Sequence, residues 1–191
     1  MVRKLLALTA LSTLCSLALA EKNDLKAARS VTQIFSQLVT FSFPNGFVPA
    51  LEDAKDGQYI QESVLKGESL KNWSQMITVT GVKDMALSSK LTPTQFAGSI
   101  AGGFEQACSG SYTATGLGET KFSSHDAFAA VVSCGIANPA GKPYSEAMLL
   151  IVIKGTNDYY TIQWAERGDA SKTPIKFDSV KWTDRLKKLK Q

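Results

Sequence analysis

The chain has 191 residues, 44% of them hydrophobic, 9% aromatic and 20% charged, a composition that can enclose an apolar core and excludes a disordered segment. Its net charge of +4 comes from 21 Lys and Arg against 17 Asp and Glu; without Arg3 and Lys4, which belong to the leading segment described next, the balance is 19 against 17, too even for a dedicated nucleic-acid binder. One histidine and three cysteines leave too few soft ligands for a structural zinc site, so no metal is expected.

Residues 1–20 read as a signal peptide. Arg3 and Lys4 precede an apolar run from Leu5 to Leu19, and Ala18-Leu19-Ala20 offers a small-x-small cut before Glu21. A transmembrane anchor is the alternative, but the run falls short of the ~20 apolar residues that span a bilayer and contains Thr9, Ser12, Thr13 and Ser16. Cys15 follows Leu14 rather than a small residue, which argues against lipidation. The mature chain is then one domain, residues 21–191, placed in the periplasm or outside the cell, with no transmembrane segment after signal removal.

A helix is expected over residues 24–36, with Leu25, Ala28, Thr32 and Phe35 on one side. Val39, Phe41 and Phe43 alternate with polar residues before the turn Pro44-Asn45-Gly46, a strand signature. Residues 51–57 read as a loop, so Glu52, Asp53 and Asp56 are solvated acids rather than the carboxylate pair of a glycosidase, and the calcium-loop pattern is not met. Strands are expected over 59–65 and 75–82, separated by a polar turn carrying Trp73.

The clearest helix covers 93–107, with Thr92 as N-cap, Pro93 at its first position and Gln95 at capping-box spacing. Phe96, Ile100 and Phe104 form its apolar stripe. Gly98, Gly102 and Gly103 each weaken it by about 1 kcal/mol relative to Ala, so close packing of the helix on a sheet is expected. Ser123-Ser124-His125-Asp126 reads as a turn, not a nucleophile with its base, because adjacent residues rarely hold triad geometry. The glycines lack the Lys-Ser/Thr of a phosphate loop. No catalytic residue and no cofactor is expected.

Residues 127–134 and 147–153 are nearly continuous apolar runs, as in strands buried on both faces. Tyr160, Ile162 and Trp164 alternate with Tyr159, Thr161 and Gln163, which predicts a strand with one wet face. A last helix over 179–190 carries Trp182, Leu186 and Leu189 on one side and Lys181, Lys187, Lys188 and Lys190 on the other, with Asp178 as N-cap. The short connections make an antiparallel meander that needs helices on both faces, hence an α+β fold.

Cys108 and Cys134 are the two cysteines of the mature chain. In an oxidising compartment an even count predicts one disulfide; two separately buried thiols are the alternative. Residues 171–191 hold seven Lys and Arg against two Asp, so the basic helix could meet an anionic membrane or an acidic partner, or could be a solvated face that complements the helix dipole.

The segments 41–47 (Phe-Ser-Phe-Pro-Asn-Gly-Phe), 72–79 (Asn-Trp-Ser-Gln-Met-Ile-Thr-Val) and 154–160 (Lys-Gly-x-x-Asp-Tyr-Tyr), with the two cysteines, resemble a family of uncharacterised secreted proteins of Gram-negative bacteria. They resemble more distantly the PsbP-like α/β/α sandwich. That resemblance implies an antiparallel sheet between helices and a binding or assembly role, and it brings no catalytic set. The functional expectation is an exported, non-enzymatic binding protein whose partner is a protein or envelope component and not a nucleic acid. The alternatives are a carboxylate-dependent hydrolase of glycans or cell wall and a membrane-surface module using the basic helix. Tyr159, Lys181, Lys187 and Lys188 are the expected interaction residues, with Tyr160 and Trp164 facing the core from their strand and Trp182 anchoring the last helix to the sheet.

Overall fold

The computed structural model describes residues 27–108, 110–137 and 141–190; the segment read as a signal peptide lies outside them. Strands β1 (Ala27–Ile34) and β2 (Gln37–Pro44) form a separate two-stranded hairpin. There follow β3 (Phe47–Lys55), β4 (Gln58–Leu65), β5 (Gln75–Val82), a 3-10 turn (Met85–Leu87) and α1 (Pro93–Ala107). The chain then runs through β6 (Tyr112–Phe122), β7 (His125–Ala137), β8 (Tyr144–Lys154), β9 (Tyr159–Asp169) and α2 (Ser179–Leu189). The seven strands β3 to β9 make one antiparallel sheet in the order β3-β4-β5-β9-β8-β7-β6. After β5 the chain passes through α1 to the far edge, and the meander from β6 returns β9 to the side of β5.

Alternation along the strands divides the core into two layers. Ile77, Val79, Leu149, Ile151, Ile162 and Trp164 face Trp182 and Leu189 of α2 and Ile34, Phe41 and Phe43 of the hairpin. Met76, Val132, Met148, Leu150, Val152 and Tyr159 face Ala97, Phe96 and Ile100 of α1. The sheet is thus covered by α1 on one face and by α2 with the hairpin on the other, which is the expected α+β arrangement. Residues 147–152 are buried throughout, and each of their larger aliphatic side chains contributes about 1.5–3 kcal/mol of transfer free energy.

Local chemistry fixes the helices. Thr92 Oγ1 accepts from Gln95 N at 3.2 Å while Gln95 Oε1 accepts from Thr92 N at 3.0 Å, the reciprocal capping box. Asp178 Oδ1 accepts from Lys181 N at 3.0 Å at the start of α2. A disulfide joins Cys108, the C-cap of α1, to Cys134 of β7, with 5.7 Å between the Cα atoms.

Three expectations about the fold need correction, and one strand lies outside them. Residues 27–34 form β1 rather than a helix: Val31, Thr32 and Ile34 are β-branched and pair with Thr40, Val39 and Gln37. Of the loop expected over 51–57, residues 51–55 belong to β3, an edge strand exposed along almost its whole length, and only Asp56 and Gly57 form the turn. The strand β6 was not anticipated. No close packing calls for Gly98, Gly102 or Gly103, since a Cβ at any of them would meet nothing within 4 Å outside the helix's own backbone.

Candidate functional site

The expected interaction residues separate in the structure. Tyr159 is fully buried, not free. Its ring meets Phe96 of α1 edge-on at 5.2 Å, and its hydroxyl donates to Leu91 O at 2.7 Å. The face read as wet is roofed by α1, so Thr161 is buried as well. Tyr160 and Trp164 do point into the opposite core layer.

On α2, Lys181 is not an outward cation. It pairs with Glu166, which also accepts from Arg185 Nη2 at 2.6 Å. Arg185 is buried, with its guanidinium 4.7 Å from the Trp164 ring and 4.8 Å from the Trp182 ring. Gln75 Oε1 accepts from Trp164 Nε1 at 2.9 Å and from Arg185 Nη2 at 3.3 Å. This network anchors α2 to β5 and β9, with Trp182 buried as expected. Lys188 pairs with Asp184 at 2.8 Å, and Lys187 is exposed.

The acids considered for hydrolysis do not converge. Glu52 and Asp53 are successive residues of β3 and point to opposite faces. Glu52 accepts from Tyr59 Oη at 2.9 Å, and Asp53 accepts from Ala54 N. Among the described residues, no group of His, Cys, Asp and Glu is placed to hold a metal ion. His125, the first residue of β7, forms no hydrogen bond with Ser123, Ser124 or Asp126 among the described residues.

A cleft of about 560 Å³ lies elsewhere, between the hairpin, the C-terminal end of α2 and the β6–β7 turn. Its floor is apolar, made by Val79, Ile153 and Ile162 of the sheet. Tyr160 Oη lies within hydrogen-bond distance of Gln37 Oε1 and Asp158 Oδ2, 3.1 Å each, tying β2 to the β8–β9 turn. Burial, then the Asp158 charge, push the Tyr160 phenol far up, so it stays protonated and serves as a donor.

Among the described residues, the charged ones lining the cleft are Arg29, Lys121 and Lys190, with no carboxylate. Lys121 pairs with Asp126 just outside the lining, and Lys190 donates to Thr120 Oγ1. The cleft therefore offers an apolar floor, a phenol and amide, and a cationic rim: recognition groups for an anion that also carries apolar surface. Sequence reasoning singled out Tyr160 and Lys190 for other roles and missed Arg29, Lys121 and the whole of β2 as a wall.

No protein-family model matches the sequence, and no curated protein matches it. Among solved structures, the chain is similar to a point mutant of protein Mog1, at 16% identity over 85% of each chain with a TM-score of 0.45. It is also similar to the Ran-binding protein Mog1p of Saccharomyces cerevisiae, at 13% identity over 85% of each chain with a TM-score of 0.44.

Proposed function

We propose that the protein is an exported binding protein that engages a protein or envelope component through the cleft beside β2. The observation that carries this reading is the cleft's composition: an apolar floor under a rim of three cations, closed by a phenol held protonated. Those groups bind and orient; they do not pair an acid with a base. The leading segment supports export, and the separation of Glu52 from Asp53 across β3 argues against the hydrolase reading. The membrane-surface reading is weakened because Lys181 and Lys188 are already ion-paired within the fold, with Glu166 and Asp184.

The test places a photo-crosslinking benzoylphenylalanine at Leu38, which is exposed at the cleft, in cells producing the full chain. A discrete adduct is expected in the envelope fraction, on a mature species beginning at Glu21. The same probe at Val180, exposed on α2 away from the cleft lining, should give none. Absence of any adduct at Leu38, or equal labelling at both positions, would overturn the assignment.

A further inference from the structure

The wall of the cleft formed by β2 is unusual in that every residue from Gln37 to Ser42 lines it. Side chains alternate between faces along a strand, so six consecutive lining residues mean that the strand presents its edge. The hairpin register fixes what that edge offers. The two-residue turn Phe35-Ser36 makes Ile34 and Gln37 a pair that exchanges both hydrogen bonds, and the ladder repeats this at Thr32 with Val39 and at Ser30 with Phe41. The backbone N–H and C=O groups of Leu38, Thr40 and Ser42 therefore point away from β1, toward the cleft. Among the described residues β2 pairs with no strand but β1, and no backbone hydrogen bond outside the ladders involves these six groups.

The edges of the large sheet are protected by contrast. β3 carries Pro49, a register shift between Pro49 and Leu51, and Glu52, Asp53 and Lys55; β6 has a register shift between Gly116 and Gly118 and carries Glu119 and Lys121. Such features block strand addition. Residues 37–42 of β2 hold no charge and no proline, and Leu38 is 75% exposed.

We propose that the edge of β2 is a strand-addition site for an extended, acidic segment of a partner protein, an inference that rests on the binding reading above. A segment paired with Leu38, Thr40 and Ser42 spans about 14 Å, or about five residues. One set of its alternating side chains faces the floor of Val79, Ile153 and Ile162, and the other set faces out beside Arg29, Lys121 and Lys190. Backbone pairing supplies affinity, and the alternation of aliphatic with Asp or Glu supplies specificity.

The experiment selects from displayed random peptides of about eight residues, long enough to cover the edge, on the purified mature protein. Sequences alternating aliphatic and acidic residues should be enriched. In a synthetic copy of a selected peptide, N-methylation of the alternating amides that face β2 should weaken binding at least about tenfold, while methylation of the other set is tolerated. Arg29→Gln with Lys190→Gln should weaken the same peptide. Thr40→Pro should abolish pairing, because the Thr40 N–H is not used within the hairpin; Thr40→Val should not.

Enrichment of basic peptides, no enrichment, or equal binding of both methylated forms would overturn the proposal. Laurate, a carboxylate with a single alkyl chain, serves as the contrasting probe. If laurate shifts the amide resonances of the cleft and no peptide does, the cleft remains a binding site but strand addition is refuted. If neither probe binds and no crosslink forms at Leu38, the binding reading falls with it.

Discussion

At the scale of single residues, glycines divide into those that the fold requires and those that it merely carries. Gly135 of β7 lies where a Cβ would press on the carbonyl oxygen of Ser171, with Ser111 Cβ and Thr173 O both at 2.9 Å. Its own N–H donates to Ser111 O and its carbonyl accepts from Ser171 N at 2.8 Å, so the backbone there has little room to retreat. Gly135→Ala should cost about 1–3 kcal/mol. Gly98→Ala and Gly103→Ala should each stabilise by about 0.5–1 kcal/mol, because the new methyl meets nothing and the helix gains propensity. Urea midpoints moving in opposite directions would confirm this; a loss at Gly98 or Gly103 would refute it. Tyr59 sets a second expectation. Burial, then its bond to Glu52, push its phenol up to about 12, above the ordinary value of about 10. The unfolded chain therefore releases this proton while the fold still holds it. Its contribution to stability is intact below about pH 10 and is lost as the pH rises toward about 12. Tyr59→Phe should flatten the alkaline limb of the stability profile, and an unchanged slope between those values would count against the assignment.

Elements with a chemical start signal or an uninterrupted apolar run were readable; those defined by their neighbours were not. The capping box at Thr92 and Gln95 and the Asp178 cap gave α1 and α2 nearly to the residue, and the apolar runs gave β7 and β8. β3 is an edge strand with hardly a buried side chain, and β6 is half-buried with a register shift at its glycines, so neither has an alternation to read. β1 showed a helical stripe that pairing with β2 overrode, and the left-handed Phe35, at φ 55°, closes the turn where a helix would have continued. Tyr159 was misassigned because the roof over its face comes from α1, more than fifty residues earlier in the chain. The distinctive Asn-Trp-Ser-Gln-Met segment proves to be structural: Trp73 is buried, with the Arg167 guanidinium 3.6 Å from its ring. The cleft was illegible for the same reason, since its walls come from residues 29–42, 121–125 and 189–190. The cysteine count, a local fact, did predict the bond that ties α1 to the sheet. Replacing Cys108 and Cys134 by Ser should remove about 3.5 kcal/mol, the chain-entropy value for a loop of this length. Equal unfolding midpoints for the two forms would assign the bond no stabilising role.

Across the whole molecule, two sheets of unequal security share one core layer. The large sheet is a continuous ladder with both faces covered, whereas the hairpin touches it through Ile34, Phe41, Phe43 and the Tyr160–Gln37 hydrogen bond, with no backbone ladder between them. A two-stranded sheet has little stability of its own, so it should open by a local route while the rest of the fold remains intact. Native-state hydrogen exchange tests this on amides that are hydrogen-bonded within their ladders. Val39 and Phe41, paired with Thr32 and Ser30, should exchange at least about tenfold faster than Leu149 and Ile151 of β8, a gap of about 1.4 kcal/mol in opening free energy. Their exchange should also depend weakly on denaturant, because local opening exposes less surface than global unfolding. Identical protection and identical denaturant slopes in the two sheets would show that the hairpin unfolds only with the whole domain. The wall of the cleft would then be a fixed edge rather than one able to adjust to what it binds.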